Sequence, residues 1–171
     1  MLAATSILKS PAVLALALGL AVAGCAKKDK LPDNSGQLGL NNGSGSGAPD
    51  GSQQQFTTEI GDRVFFETDS SVLTSTARQT LTSQAQWLIR YPQHPITIEG
   101  HADERGTREY NLALGARRAA ATRDFLTSQG VPRNRIRTIS FGKERPVAVC
   151  NDISCWSQNR RARTALSAPQ G

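Results

Sequence analysis

Aromatic side chains make up only 5% of these 171 residues, and the chain holds a single methionine and three cysteines. A core built from it therefore has to rest on Leu, Ile, Val and Ala. Only two histidines occur, His94 and His101, and no Cys-x-x-Cys pair, so the spacing and companions of a zinc site are missing and no metal or other cofactor is expected. There is no internal repeat. The apolar run from Ala12 to Gly24 falls short of the ~20 residues a transmembrane helix needs. Acidic residues are outnumbered, 14 against 20 Lys and Arg, for a formal net charge of +6. The arginines are interleaved with acidic residues rather than gathered into one block, which speaks against nucleic acid as a partner. A solvated basic surface is the plainer reading, and attraction to an anionic polymer or phospholipid surface the softer one.

What is present begins at the amino end. Lys9, the run Ala12 to Gly24 and a small-residue exit form the layout of a secretory signal peptide, residues 1–24. Its ending, Val22-Ala23-Gly24-Cys25, resembles the lipobox of bacterial lipoproteins. That resemblance implies cleavage before Cys25 and acylation of its thiol; an ordinary signal peptide that happens to end at cysteine is the alternative. Each buried acyl methylene contributes ~0.8 kcal/mol, so several chains make a lasting anchor. Ala26, where retention at the inner membrane usually goes with Asp, points to the outer membrane and its periplasmic face. Residues 25–55 carry Lys27, Lys28, Lys30, a Gly/Ser/Asn tract and a closing run of three glutamines, a composition unable to form a core. As a coil this tether spans roughly 30 Å.

The rest, residues 56–168, alternates strand and helix signals. Arg63 to Glu67 reads as a strand; Ser71 to Arg90, with Ala77, Leu81, Ala85, Leu88 and Ile89 at helical spacing, as a helix stopped by Pro92. Ile96 to Gly100 is a second strand. Thr107 to Gln129 is a second helix with Leu112, Ala119, Thr122 and Leu126 on one stripe and Gly130 as its stop. Arg137 to Phe141 and Ala162 to Ser167 complete a βαβαββ order. The expected fold is α+β, two main helices on one face of a small mixed sheet. Cys150 and Cys155, in an oxidising compartment, are expected to form a disulfide worth about 2 kcal/mol.

Between the second strand and the second helix runs Gly100-His101-Ala102-Asp103-Glu104-Arg105-Gly106-Thr107-Arg108-Glu109-Tyr110-Asn111, continuing through Leu114 to Ala119. With Gly142 to Pro146, Ser157 to Ala162 and Val64 to Asp69, this stretch resembles the OmpA C-terminal-like family from about Phe56 to Ala168. Glu67, where the family commonly has Asp, and the Cys150 to Cys155 loop depart from its pattern. The resemblance implies an OmpA-like domain that binds peptidoglycan without making or breaking a bond. It implies that Asp103 and Arg118 hold the diaminopimelate of the stem peptide and that Asn111 and Asp69 contribute. It also implies a partner, the periplasmic β-propeller protein TolB, and a part in outer-membrane invagination at division.

The residue chemistry suits such a ligand. Diaminopimelate ends in an ammonium and a carboxylate on one carbon, so its receptor needs an anion beside a cation. Asp103 lies in the strand-to-helix loop, and Arg118 follows Asn111 by two helical turns on the same face, its side chain leaning back toward the amino end. A planar guanidinium can hold a carboxylate with two parallel hydrogen bonds, and free N–H groups near Thr107 at the helix start favour a negative group. Asp103 and Arg118 could equally pair with each other and tie loop to helix. His101 is read as a satisfied structural residue, since no nucleophile stands beside it, and Tyr110 as packing. Arg160 and Arg161 face either ligand or solvent. Asp103 and Glu104, being adjacent, do not straddle a bond as hydrolase carboxylates do, at ~5 Å, so a cell-wall hydrolase is a poor alternative.

Overall fold

The computed structural model describes residues 48–167. The signal segment, Cys25, most of the tether and the domain's end at residue 168 lie outside the described residues. The elements run α1 (Gln53–Gln55), a π-helical turn (Phe56–Gly61), β1 (Arg63–Phe65), α2 (Ser75–Arg90), β2 (Ile96–His101), α3 (Arg108–Ser128), a 3-10 turn (Arg133–Arg135), β3 (Ile136–Gly142), α4 (Ile153–Asn159) and β4 (Arg161–Leu166). The four strands form one mixed sheet in the order β1-β4-β2-β3. β2 and β3 are parallel, whereas β4 runs antiparallel to both neighbours, with Arg63 opposite Arg163 and Glu99 opposite Arg163.

Period-two alternation in the strands separates the two faces of this sheet. Val64, Ile96, Ile98, Ala162, Thr164 and Leu166 turn inward and are buried, while Thr97 and Glu99 turn to the other side. α2 and α3 cover the inward face and touch each other. The scarce aromatics are not excluded from the core, contrary to the aliphatic core expected from composition: Phe56, Phe66 and Trp87 are all buried there. Phe56 packs on Trp87 at 4.9 Å between ring centroids, and Tyr91 on its other flank at 4.7 Å. Each aromatic buries a large area, so a few well-placed rings suffice.

α2 starts at Ser75 rather than Ser71, because the Thr74 hydroxyl accepts a hydrogen bond from Ala77 N and caps it there. Ile89 is 49% exposed, so it leaves the buried stripe; Gln84 and Trp87 join it instead. Gln84 is tolerated inside because its amide donates to Gly61 O and its carbonyl accepts from Thr164. Domain contacts also reach back before residue 56: Gln55 Oε1 accepts from Trp87 Nε1 at 2.9 Å and from Gly51 N, and His94 Nε2 meets Gly51 O.

α4 is an addition to the expected βαβαββ order. It has only seven residues, buries only Cys155 and Asn159, and therefore carries no apolar period to read. Asp152 caps it, and the Cys150–Cys155 disulfide spans its start with Cα atoms 5.6 Å apart. α3 lies unusually close to β2. A β-carbon on Gly115 would come within 2.4 Å of Ser140 Oγ, and one on Gly100 within 1.9 Å of Gly115 O. Two facing glycines thus let helix and strand backbones meet and set the height of α3 over the sheet.

Candidate functional site

The amino end of α3, the β2–α3 loop and the segment after β1 enclose a cleft of about 250 Å³, lined by Asp69, Asp103, Arg105, Tyr110, Asn111 and Arg118 among others. Local chemistry fixes each wall. Thr107 is the N-cap of α3: its hydroxyl accepts from Tyr110 N, and its side chain is spent on the helix rather than on the cleft lining. Asn111, one turn on, is buried and donates its amide to Arg105 O at 2.7 Å and Thr107 O at 3.0 Å, which holds the loop closed over the helix start. Gly106 makes the turn at φ 84°, a left-handed conformation that side chains rarely adopt.

Arg118 is fully buried and is not bonded to Asp103. Its Nε donates to Ser70 O, one terminal nitrogen to His101 O and the other to Glu67 O, at 2.8–3.1 Å. Three of its five N–H groups are consumed, leaving one on each terminal nitrogen. The guanidinium therefore pins the post-β1 segment to β2 from behind the cleft, rather than standing as an outward fork. Burial first, then the charge of Arg160, lowers its pKa to about 10 against the pull of Asp103, Asp69 and Tyr110, so it stays charged at neutral pH.

Asp103 is paired with other arginines. Arg105 grips both carboxylate oxygens, Nε to Oδ1 at 3.1 Å and a terminal nitrogen to Oδ2 at 2.7 Å, while Arg160 approaches Oδ2 at 3.4 Å. Burial alone would raise the Asp103 carboxyl, but the Arg105 and Arg160 hydrogen bonds outweigh it and hold the group below its ordinary range. Arg105 in turn lies over Trp156 of α4, 4.2 Å from the ring centroid, and the indole donates to Glu104. α4 thus braces the loop that carries Asp103.

At the rim, Asp69 adopts a positive φ of 55° and accepts from the Tyr110 hydroxyl. Tyr110 is 45% exposed, so it is a rim residue rather than packing. The structure gathers Asp69, Asp103, Asn111 and Arg118 around one cleft and leaves the Thr107 side chain outside it. Sequence reasoning missed Arg105 as the partner of Asp103, although its place two residues on, at a turn glycine, allowed it to fold back. Of the two open arginines, both are buried. Arg160 faces the cleft through Asp103, and Arg161 lies on the opposite side of the sheet. His101 is not satisfied: neither ring nitrogen has a hydrogen-bond partner.

The fold and cleft define an OmpA-type domain, and the OmpA family model matches residues 65–161. A peptidoglycan-associated lipoprotein from Agrobacterium fabrum is 68% identical over 158 residues, covering 92% of this chain and 88% of the relative. One of the same name from Pseudomonas aeruginosa is 43% identical over 156 residues, covering 88% and 92%. The crystal structure of the peptidoglycan-associated lipoprotein from Burkholderia pseudomallei superposes with a TM-score of 0.62 at 41% identity, covering 65% of this chain and 96% of that one. The C-terminal domain of Helicobacter pylori MotB, at 22% identity, 63% and 84% coverage and a TM-score of 0.59, shares the fold alone. The chain belongs to the OmpA family, among its peptidoglycan-associated lipoproteins. The name those relatives carry is that of a lipoprotein associated with peptidoglycan and not of an enzyme.

Proposed function

We propose that this lipoprotein is anchored in the outer membrane through an acylated Cys25 and binds peptidoglycan non-covalently through the cleft over α3. The ammonium of diaminopimelate faces Asp103 and Asp69, and its carboxylate faces Arg105 and the remaining N–H groups of Arg118. Asn111 holds the loop, and Thr107 acts through the helix cap. The observation that supports this reading is the placing of two carboxylates and two guanidiniums around one cleft, the charge pattern a zwitterion requires. The relatives' name carries the same association with the wall. In this reading the tether of residues 25–55 links membrane to wall within the Tol-Pal system, with TolB as protein partner, and the outer membrane follows the constricting wall at division.

Co-sedimentation with purified sacculi tests the site. Asp103→Asn keeps the shape and removes the charge, so it is expected to weaken the affinity about tenfold, a loss of ~1.4 kcal/mol; undiminished binding removes the assignment. Fatty-acid labelling that persists in Cys25→Ser removes the anchor. Capture of TolB separates the Tol-Pal reading from service in another envelope complex with the same wall-binding cleft.

A further inference from the structure

The helix-free face of the sheet is crowded with guanidiniums that the wall-binding cleft does not use. Arg63 on β1 stands directly opposite Arg163 on β4, a like-charge pair that destabilises a sheet unless it is neutralised. Asp62 does so in part, meeting Arg63 at 2.7 Å and Arg163 at 2.8 Å. Glu99 adds a longer contact to Arg163 at 3.6 Å. Two further arginines of this face, Arg145 and Arg161, have no carboxylate partner among the described residues. Arg145 rests on the Phe141 ring at 3.7 Å, and Arg161 donates only to the carbonyls of Asn159 and Arg145.

These side chains line a cavity of about 270 Å³ together with Glu99, His101, Pro146 and Val147. Its buried members are short of partners. His101 is 2% exposed and neither ring nitrogen has a hydrogen bond, Nε2 lying 3.9 Å from a Glu99 carboxylate oxygen; Nε of Arg161, itself 4% exposed, has no hydrogen bond either. Unmade hydrogen bonds on buried groups are costly, and their clustering at one cavity, where four guanidiniums outnumber the nearby Asp62 and Glu99 carboxylates, suits an anion. The excess charge is felt locally: burial, then Arg161, Arg145 and Arg163, hold His101 neutral. The planar guanidinium matches a tetrahedral oxyanion with paired N–H groups, and several guanidiniums around one cavity suit a phosphate, whether the free ion or a singly charged diester.

We propose that this cavity is a phosphate-binding site, with Arg145 and Arg161 as the gripping residues and Arg63 and Arg163 at its mouth. It lies across the sheet from the cleft over α3 and is independent of wall binding. The phosphate is either free or carried on a lipid headgroup. Calorimetric titration of the full chain in detergent distinguishes these, with inorganic phosphate in one arm and glycerophosphoglycerol, the water-soluble diester of a lipid headgroup, in the other. Saturable binding in either arm supports the site and names the source. Arg145→Gln, an exposed position whose loss spares the core, is expected to weaken that binding about tenfold while leaving sacculus co-sedimentation unchanged. Binding should also shift the His101 ring nitrogen resonances. Absence of saturable binding in both arms, or full binding by Arg145→Gln, overturns the proposal.

Discussion

Mild acid should destabilise this domain through His101. The imidazole is buried among arginines, and its pKa falls from 6.5 to about 3 in the fold, by burial first and then by Arg161, Arg145 and Arg163. A base whose folded value lies below its unfolded one binds protons mainly when unfolded, so stability is complete above 6.5 and drains as the pH falls toward 3. The whole drop corresponds to about 5 kcal/mol, and between pH ~7.5 and ~5 about 2 kcal/mol is lost. For a domain whose total is ~5–15 kcal/mol, that is a large share. Urea unfolding at several pH values measures it, and His101→Leu isolates it, because His94 and the carboxylates are common to both proteins. The wild type is expected to lose about 2 kcal/mol more than the variant over that range. Parallel curves would refute the reasoning, and saturation of the arginine cavity with phosphate should flatten the wild-type slope.

Arg118→Met keeps the bulk but strips hydrogen bonds from the carbonyls of Glu67, Ser70 and His101; it should cost at least ~3 kcal/mol by chemical denaturation. A near-neutral result would show that Arg118 is not a structural pin. Gly115→Ala should cost about 1–3 kcal/mol, since its β-carbon would press on Ser140 Oγ at 2.4 Å and Gly100 O at 2.8 Å, and Gly100→Ala more, since it comes within 1.9 Å of the Gly115 carbonyl; thermal melts rank the two. Removing the Cys150–Cys155 bridge by paired Ser substitution should cost about 2 kcal/mol, and because Trp156 supports Arg105, wall binding should weaken with it. Unchanged sacculus affinity in that variant would uncouple α4 from the cleft.

The parts of this fold that depend on period were legible in the residues. Leu81, Ala85 and Leu88 mark the buried face of α2, and Ile96 with Ile98 mark that of β2, because apolar spacing reports directly on which side is covered. α4 was not legible, since a seven-residue helix capped by Asp152 and tied by a disulfide needs no apolar stripe. Residue choice located Asp103 and Arg118, but not their partners. An arginine can reach several carbonyls or a carboxylate from the same position, and only the packed neighbours decide; Arg118 chose three carbonyls, and Asp103 chose Arg105. The orphaned His101 ring was equally invisible, because satisfaction is a property of the surroundings and not of the residue.

The strand made last lies between strands made first. β4, Arg161–Leu166, fills the gap between β1 and β2, so β1 has no strand neighbour and β2 has only β3 until β4 has been made. Delivered amino end first, whether from a ribosome or through a pore, the polypeptide cannot close its sheet across β1 before β4 arrives. A chain cut before Arg161 would lose β4 and leave β1 parted from β2 and β3, a sheet split in its interior rather than trimmed at an edge.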